Sequence, residues 1–566
     1  MIQLGISAFY HDSAACIVLD GKVIAAAEEE RFTEIKHDSS FPVNAIAYVL
    51  SEAGIQDINN VNEVCWYENP KIKKQRVLKT FNKHFFKTFK NRFIFLYNYY
   101  FNSPKNLLNR HFRYKGVIKY TDHHLSHTAF SYLTSPYKNA AIVTVDGVGE
   151  WETITISKGE EDRIRKMGTI KFPHSLGMLY STITSYLGFK PNEGEYKVMG
   201  LAPFGNPKRY YKKLNSIFKE SNNKFTIDQQ YFTWEYSDKV MFTYKLAELL
   251  NLLPRLPEEP ITQKHKDLAA ALQKVYEDKF RKLLNVAKKM TKSPNVCLGG
   301  GCAYNGVANV LAYEHFRSVH IPFAPSDAGS AIGACLINYK GKRKDNSNPF
   351  LGNGYSDEEI GLALLKYIPG IRFEYFEGDN LLKKTALLLD SQKIIAWFQG
   401  KMEFGARALG NRSILASPKN AVMRDKLNSV IKKREGFRPF APSVTAETAS
   451  KWFNIKQGVP YMNLVVKAFD DDGFARLTRF PAATHVDGTC RVQTVQKNFN
   501  LLYYMLLKEV GNLSGYEVLL NTSFNLKDQT ITRTPEQAIE RFINSDIDYL
   551  VIGKYIVSKD NVNSRN

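Results

Sequence analysis

Residues 2–30 read IQLGISAFYHDSAACIVLDGKVIAAAEEE. Three apolar runs, IQLGISAF, SAACIVL and VIAAAEEE, are separated by a polar loop and by the turn DGK. An Asp-Gly pair between two apolar runs signals a hairpin, because both residues tolerate the positive φ of a tight turn. The stretch therefore predicts three consecutive antiparallel strands. The same pattern returns at residues 140–170, AAIVTVDGVGEWETITISKGEEDRIRKMGTI, as strand, Asp-Gly turn, strand, turn and strand.

Each unit is followed by helical sequence, so the chain is expected to hold a duplicated α/β domain. This arrangement resembles the actin-like ATPase superfamily (ASKHA), whose nucleotide sits between two halves. The charged, periodic stretch from Thr262 to Met290 predicts one long helix. NVCLGGGCAYNGVANVLA then reads as strand, glycine turn and helix. Three glycines let the backbone approach a ligand, with helix N–H groups aimed at it. A stretch rich in Lys, Asn, Gly and Pro, YKGKRKDNSNPFLGNGYS at 339–356, predicts a linker. The expected domains are 1–345 and a second α/β domain at 346–566.

Among 566 residues, 44% are hydrophobic and 23% charged, a globular balance. No apolar run approaches the ~20 residues of a membrane helix. The N-terminus opens directly as a strand, without the basic leader of a signal peptide. Six cysteines lie scattered without a CxxC pair. That argues against a disulfide framework or zinc ribbon and fits a reducing cytoplasm. The net charge of +21 is unevenly spread, since residues 69–121 contain no Asp or Glu. Aromatics recur among the cations of KIKKQRVLKTFNKHFFKTFKNRF. Two readings follow: a surface for RNA or anionic membrane, or solvated helices with Phe85, Phe86, Phe89 and Phe93 turned inward. A basic chain also attracts small polyanionic substrates.

TDHHLSHTAFSYL, from Thr121, puts His123 and His127 four residues apart, on one face of a helix. Imidazole is a common ligand for zinc, iron and copper, but two histidines are half a site. Asp146 in VDGVGE and Asp327 in PFAPSDAGSAIGA are carboxylates at element ends beside small residues. Together the four make a mixed N/O set for a divalent ion. The competing reading makes Asp146 a turn residue and Asp327 a helix cap. His124, adjacent to His123, points away from such a set.

The ordered motifs FYHDSAA, EEERFTEIKHDSSFP, DHHLSH, VDGVGEW, PHSLGMLYS, GEYKVMGLAPFG, LGGGCAYNGVAN and PSDAGSAIGA resemble the O-carbamoyltransferases of the nodulation protein U, cephalosporin hydroxymethyl and tobramycin carbamoyltransferase type. So do EFGARALGNRSILASP, IKKREGFRPFAPSV, HVDGTCRVQTV and LLNTSFN in the C-terminal part. The resemblance implies an N-terminal actin-like, metal-binding domain fused to a C-terminal YrdC-like α/β domain. It implies activation of carbamoyl phosphate with ATP to carbamoyl adenylate, then transfer of the carbamoyl group to a hydroxyl of a small molecule or glycan. Implied acceptors range over lipo-oligosaccharides, aminoglycosides, cephalosporins and macrocyclic polyketides.

The resemblance also assigns roles. His123, His127, Asp146 and Asp327 would hold the metal, with Fe2+ leading and Zn2+ or Mn2+ as alternatives, while Mg2+ accompanies ATP. Arg407, Arg412, Lys432, Arg438, His485, Arg491, Asn521, Thr522 and Ser523 would bind carbamoyl phosphate and ATP, with Arg407 and Lys432 nearest the reacting group. Arg forks and Lys charges suit such polyanions. Glu195, Lys197, Gly299, Gly300 and Asn305 would contact the carbamoyl adenylate or nucleotide. His11 is the candidate base for the acceptor hydroxyl. No stable nucleic-acid partner is expected, and a homodimer is compatible with this reading. Two rivals stand beside it: a threonylcarbamoyl-adenosine type tRNA-modifying enzyme, and a non-catalytic nucleotide-binding regulator.

Overall fold

The N-terminal hairpin forms as its sequence requires. Strands β1 (Ile2–Ser7), β2 (Ala14–Leu19) and β3 (Lys22–Glu28) run antiparallel in succession. The turn between the last two places Asp20 at φ 48° and Gly21 at φ 77°, the conformation an Asp-Gly pair is suited to. β4 (Glu63–Trp66) then pairs in parallel with β1, and β5 (Ile118–Tyr120) with β4. The sheet order is β3-β2-β1-β4-β5.

The second unit repeats this plan. β6 (Asn139–Val145), β7 (Glu152–Glu160) and β8 (Arg163–Lys171) are antiparallel. After a two-stranded ribbon of β9 (Phe218–Ser221) and β10 (Lys224–Ile227), β11 (Asn295–Gly299) pairs in parallel with β6 and β12 (Ser318–His320) with β11. The order β12-β11-β6-β7-β8 is the first sheet's order with each strand replaced by its counterpart. The expected duplication is therefore present in the topology. One detail differs: Asp146-Gly147 is not a tight turn, because β6 ends at Val145 and β7 starts at Glu152. The longer loop leaves the Asp146 side chain available for the site.

The computed structural model describes residues 1–221, 224–237, 239–469 and 479–560. Its contacts divide into two units, residues 1–29 with 37–347, and residues 30–36 with 348–566. In the first, the helix His123–Leu133 follows β5 and the helix Asp327–Asn338 follows β12. These are equivalent places in the two repeats. The predicted long helix spans Gln263–Thr291. Arg343, near the start of the expected linker, donates to the Leu133, Tyr137 and Tyr132 carbonyls at 2.9, 2.9 and 2.6 Å. All six cysteines are free thiols, and no helix among the described residues is long and apolar enough to cross a membrane.

The basic stretch forms the helices Pro70–Lys83 and Phe85–Phe101. The inward reading of its rings fails: Phe85, Phe86 and Phe93 are 43%, 97% and 61% exposed. The Phe89 side chain lies outside the described residues. The face turned inward instead carries Thr88, whose hydroxyl donates to the Phe81 and His84 carbonyls.

The second unit is built on a mixed sheet of β13 (Ile371–Tyr375), β14 (Ile395–Phe398), β15 (Arg412–Ala416) and β16 (Ala441–Thr445), then β19 (Gln493–Val495), β20 (Val518–Ser523), β21 (Tyr549–Ile552) and β22 (Tyr555–Lys559). Its order is β13-β22-β21-β14-β15-β20-β16-β19, and β17 (Val465–Lys467) pairs with β18 (Thr489–Arg491) in a separate ribbon. Trp397, Leu415, Leu519 and Val551 from the sheet pack with Leu389, Tyr503 and Leu507 from helices. Each side chain buried this fully contributes ~1.5–3 kcal/mol. The segment 30–36 belongs here: Arg31 donates to the Gly405 carbonyl at 2.9 Å, and the Arg533 guanidinium lies 4.8 Å from the Phe32 ring.

Candidate functional site

Two helices that follow equivalent strands meet at the first site. Gly329 and Gly333 lie on the Asp327–Asn338 helix, against Phe130 and Ser126 of the His123–Leu133 helix. A Cβ at Gly333 would lie 1.9 Å from the Ser126 carbonyl oxygen, so only glycine permits this approach. The close crossing carries Asp327 to the histidine pair. Asp146 arrives from the end of β6.

All four side chains are buried, and their ligand atoms lie within 4.8 Å of one another. His123 Nε2 is 3.1 Å from His127 Nε2 and 3.1 Å from Asp146 Oδ2. His127 Nε2 is 3.2 Å from Asp327 Oδ1, and the two longer cross-distances are 3.7 and 3.9 Å. Ligands ~2.1 Å from a tetrahedral ion stand about 3.4 Å apart, so these separations suit one cation. The outer contacts agree. His127 Nδ1 faces the Pro325 carbonyl at 3.1 Å and Ser330 Oγ at 3.0 Å, which leaves Nε2 free to ligate. Asp146 Oδ1 accepts the Gly301 N–H at 2.9 Å. Both Asp327 oxygens are buried without a hydrogen-bond donor among the described residues. A carboxylate is stable in that state only beside a positive charge.

The electrostatics point the same way. Burial pushes His123 down, but the Asp327 and Asp146 carboxylates raise it to about 9. Burial pushes Asp146 up, and the His123 hydrogen bond with both imidazoles holds it well below the ordinary carboxylate range. A pocket that binds a proton this firmly binds a dication for the same reason. His124 is not in the group. It is buried against Thr155 at 3.2 Å, and burial together with His123 pushes it well below its ordinary value.

His11 sits in the β1–β2 loop, the counterpart of the β6–β7 loop that carries Asp146. Its Nδ1 is 2.9 Å from Asp12, whose other oxygen is 2.6 Å from His37 Nδ1. Burial pushes His11 down, but Asp12, Asp327 and Asp146 raise it to about 10. Sequence reasoning missed His37, although it quoted IKHDSS, because nothing in that motif announces a partner 25 residues away. It also missed Glu150. That buried carboxylate accepts the His123 N–H at 3.0 Å and the Asn69 N–H at 2.6 Å, so it caps the histidine helix from another loop.

The remaining residues of this unit have visible structural tasks. Glu195 Oε1 accepts from Ser181 at 2.6 Å and from the Asn192 N–H at 2.9 Å. Lys197 Nζ is 5.6 Å from the Phe189 ring centre. Gly299 and Gly300 press against Ser131 and Val145, where a Cβ would come within 2.2 Å. Asn305 Oδ1 caps the Ala308 N–H at 3.1 Å and pairs with Gln273.

In the second unit, a π-helical turn at Leu427–Ile431 delivers Lys432, and Lys433 follows at φ 45°. Such turns recur at functional positions. Lys432 Nζ donates to the Ser523 carbonyl at 2.6 Å and to Asn525 O and Oδ1 at 2.8 Å. It is therefore tied to the NTSFN turn after β20. Burial, then Arg434, Arg438, Lys36 and Arg541, push its pKa well below that of a free lysine. Lys36 and Arg541 are members of this cationic group that sequence reasoning did not name. Arg438 is 3.6 Å from Glu435, and His485 Nε2 is 3.3 Å from the Phe437 carbonyl. Ser523 Oγ donates to Asn525, Thr522 is partly exposed on β20, and Asn521 donates to Gln493 at 2.9 Å. Arg491 ends β18. Arg407 is half-buried in a loop whose backbone N–H groups at Leu409 and Asn411 converge on buried Glu403.

Arg412 departs from its expected place among the anion-binding cations. It is fully buried, stacks 3.7 Å from the Phe398 ring centre and donates to the Gln399, Asn353 and Gly400 carbonyls. Its planar fork braces the core.

Comparison with known proteins adds independent information. Residues 2–336 match a family model described as carbamoyltransferase N-terminus, and residues 386–559 one described as carbamoyltransferase C-terminus. An uncharacterized protein of Synechocystis sp., sll1178, is 38% identical over 98% of this chain and 96% of its own length. Nodulation protein NolNO of Sinorhizobium fredii is 33% identical over 97% of this chain and 79% of its own. The 3'-hydroxymethylcephem-O-carbamoyltransferase of Amycolatopsis lactamdurans is 33% identical over 46% of this chain and 48% of its own.

Proposed function

Because the chain belongs to the carbamoyltransferase family, with its N- and C-terminal models both matched, we propose that it is an ATP-dependent O-carbamoyltransferase that works through carbamoyl adenylate. The observation that carries this reading is the buried quartet of His123, His127, Asp146 and Asp327, with ligand atoms at coordination spacing. The cationic group around Lys432 supports the other half of the chemistry.

In this reading the residues around Lys432 form a YrdC-like activation site. Water releases phosphate from carbamoyl phosphate, the carbamate oxygen attacks the α-phosphorus of ATP, and pyrophosphate leaves. Arg407, Arg438 and Arg491 stabilise the charge on the departing groups. Lys432 holds the Ser523–Asn525 turn toward them, and His485, Asn521, Thr522 and Ser523 offer short polar contacts. Mg2+ would accompany the nucleotide.

The first unit, read as actin-like from its doubled sheet topology, carries out the transfer. Its quartet would hold Fe2+, or Zn2+ or Mn2+, which supplies Lewis acidity toward a phosphate oxygen. Glu195, Lys197, Gly299, Gly300 and Asn305 border the nucleotide. The acceptor oxygen attacks the carbamoyl carbon and AMP departs. With the charges of Asp146 and Asp327 taken up by the cation, His11 is left with Asp12 and His37. Asp12 fixes its tautomer, and the other ring nitrogen takes the acceptor's proton.

The test incubates the protein with ATP, carbamoyl phosphate and a panel of alcohols and seeks a gain of about 43 Da on one hydroxyl. Carbamoyl-phosphate-dependent exchange of pyrophosphate into ATP reports the first half without an acceptor. Threonylcarbamoylated tRNA from threonine and bicarbonate would overturn the reading, and so would an absence of exchange.

A further inference from the structure

Residues 69–121 carry 14 Lys and Arg and no Asp or Glu, against a net charge of +21 for the whole chain. None of the proposed catalysis uses them. On the Phe85–Phe101 helix, Phe86, Phe93, Tyr97 and Tyr100 are 97%, 61%, 60% and 57% exposed. Their spacings of seven, four and three residues place them on one helical stripe, about 21 Å long at 1.5 Å per residue. Ile94 and Phe101 border it, also more than half exposed. Cations flank the rings. Lys74 lies 4.4 and 4.6 Å from the Tyr99 and Tyr100 ring centres, and Lys87 lies 4.3 Å from Tyr236. Among the described residues, Glu235 pairs with Lys83, Glu68 with Lys73 and Glu63 with Lys119.

We propose that this helix docks the protein on an anionic lipid surface. Phenyl and phenol rings on one face, with lysine and arginine beside them, are the composition of a helix lying in the headgroup plane. The rings enter the acyl boundary, and the long cationic stems reach phosphate. The helix is not long and apolar enough to cross the bilayer, so it rests on it. A second copy fits this face less well, because a two-fold contact would press two predominantly cationic patches together. RNA would satisfy the cations, but nucleic acid has no apolar phase for Ile94 and Phe101 at the edge of the stripe.

Flotation of the full-length protein tests this, with vesicles of phosphatidylcholine alone or with about 30% phosphatidylglycerol. Binding is expected with the anionic vesicles and is expected to weaken at least about tenfold in ~0.5 M salt. The triple variant Phe86→Ser, Phe93→Ser, Tyr97→Ser is expected to lose at least about tenfold in partitioning. In a Phe93→Trp protein, brominated acyl chains are expected to quench the new indole, a readout that does not depend on the triple variant folding. Equal flotation with neutral and anionic vesicles would overturn the proposal, as would an introduced indole whose emission the brominated lipid leaves unchanged. A stripe-dependent gel shift of single-stranded RNA, or a stripe-dependent dimer by ultracentrifugation, without vesicle binding would assign the face elsewhere and also overturn it.

Discussion

Gly333→Ala isolates the link between helix packing and metal binding. Alanine is the better helix former by about 1 kcal/mol, so propensity alone predicts stabilisation. The packing predicts the opposite. The new Cβ would stand 1.9 Å from the Ser126 carbonyl oxygen, against the 3.4 Å at which ordinary contact begins. The two helices must part by about 1.5 Å, and overpacking of this kind costs ~1–3 kcal/mol. After the propensity gain, a net loss of up to about 2 kcal/mol remains, or up to about 3 °C in Tm for a unit of this size. The larger consequence is local. Asp327 rides on the displaced helix, and a shift of about 1.5 Å takes it outside the ~2 Å reach of a coordination bond. Metal affinity is expected to fall at least about tenfold, as when a ligand's support is removed. Calorimetry and metal titration of purified protein check both numbers. Gly458→Ala is the control, since a Cβ there meets only ordinary contacts at 3.6 Å. A Gly333→Ala protein with wild-type Tm and metal affinity would refute the claim that this crossing places Asp327.

Other consequences follow from the same groups. Supplying Fe2+, Zn2+ or Mn2+ to metal-free protein at about 100 times Kd should stabilise it by ~2.7 kcal/mol, and His127→Ala or Asp327→Asn should abolish the shift in Tm. Because His123 is raised to about 9, protons compete with the ion, and apparent affinity should climb with pH up to that value. Asp12→Asn should return His11 from about 10 toward 6.5, which NMR titration of the metal-free protein reads directly. His11 binds its proton more tightly when folded. Its contribution to stability is therefore present below pH ~6.5 and lost as pH rises toward 10 in the wild type, and smaller in the variant, where Asp327 and Asp146 still act on it. Lys432→Ala should cut carbamoyl-phosphate-dependent pyrophosphate exchange by at least about 100-fold. It does so by freeing the Ser523–Asn525 turn and removing a charge, and unchanged exchange would remove Lys432 from the proposed chemistry.

The legible parts of the molecule are those written in local patterns. The Asp20-Gly21 turn, the long 263–291 helix and the i, i+4 histidines each follow from spacing within a few residues. Asp146 and Asp327 stand out as carboxylates beside small residues at element ends, although a turn residue and a helix cap read the same way. The illegible parts depend on distant partners. Glu150 reads as a turn acid until β6 and β7 bring it under the first N–H of the histidine helix. His37 reads as a loop residue until Asp12 bridges it to His11. Arg412 shares its motif with Arg407, yet one fork is consumed by core carbonyls, because Arg412 opens the wholly buried strand β15 while Arg407 stays in the half-buried loop before it. The rings of the basic helix follow a helical period, and periodicity says which side chains share a face without saying which face meets protein.

The excursion of residues 30–36 bears on how this chain is made. The polypeptide passes from the first unit to the second, returns seven residues later, and passes again at 347/348. During synthesis those seven residues emerge more than three hundred positions ahead of the rest of the unit they belong to. A fragment cut at the interdomain stretch would lack Arg31, Phe32 and Lys36, and with them one cation of the Lys432 group. Restoring such a fragment calls for the missing heptapeptide, supplied in trans or grafted onto its new N-terminus.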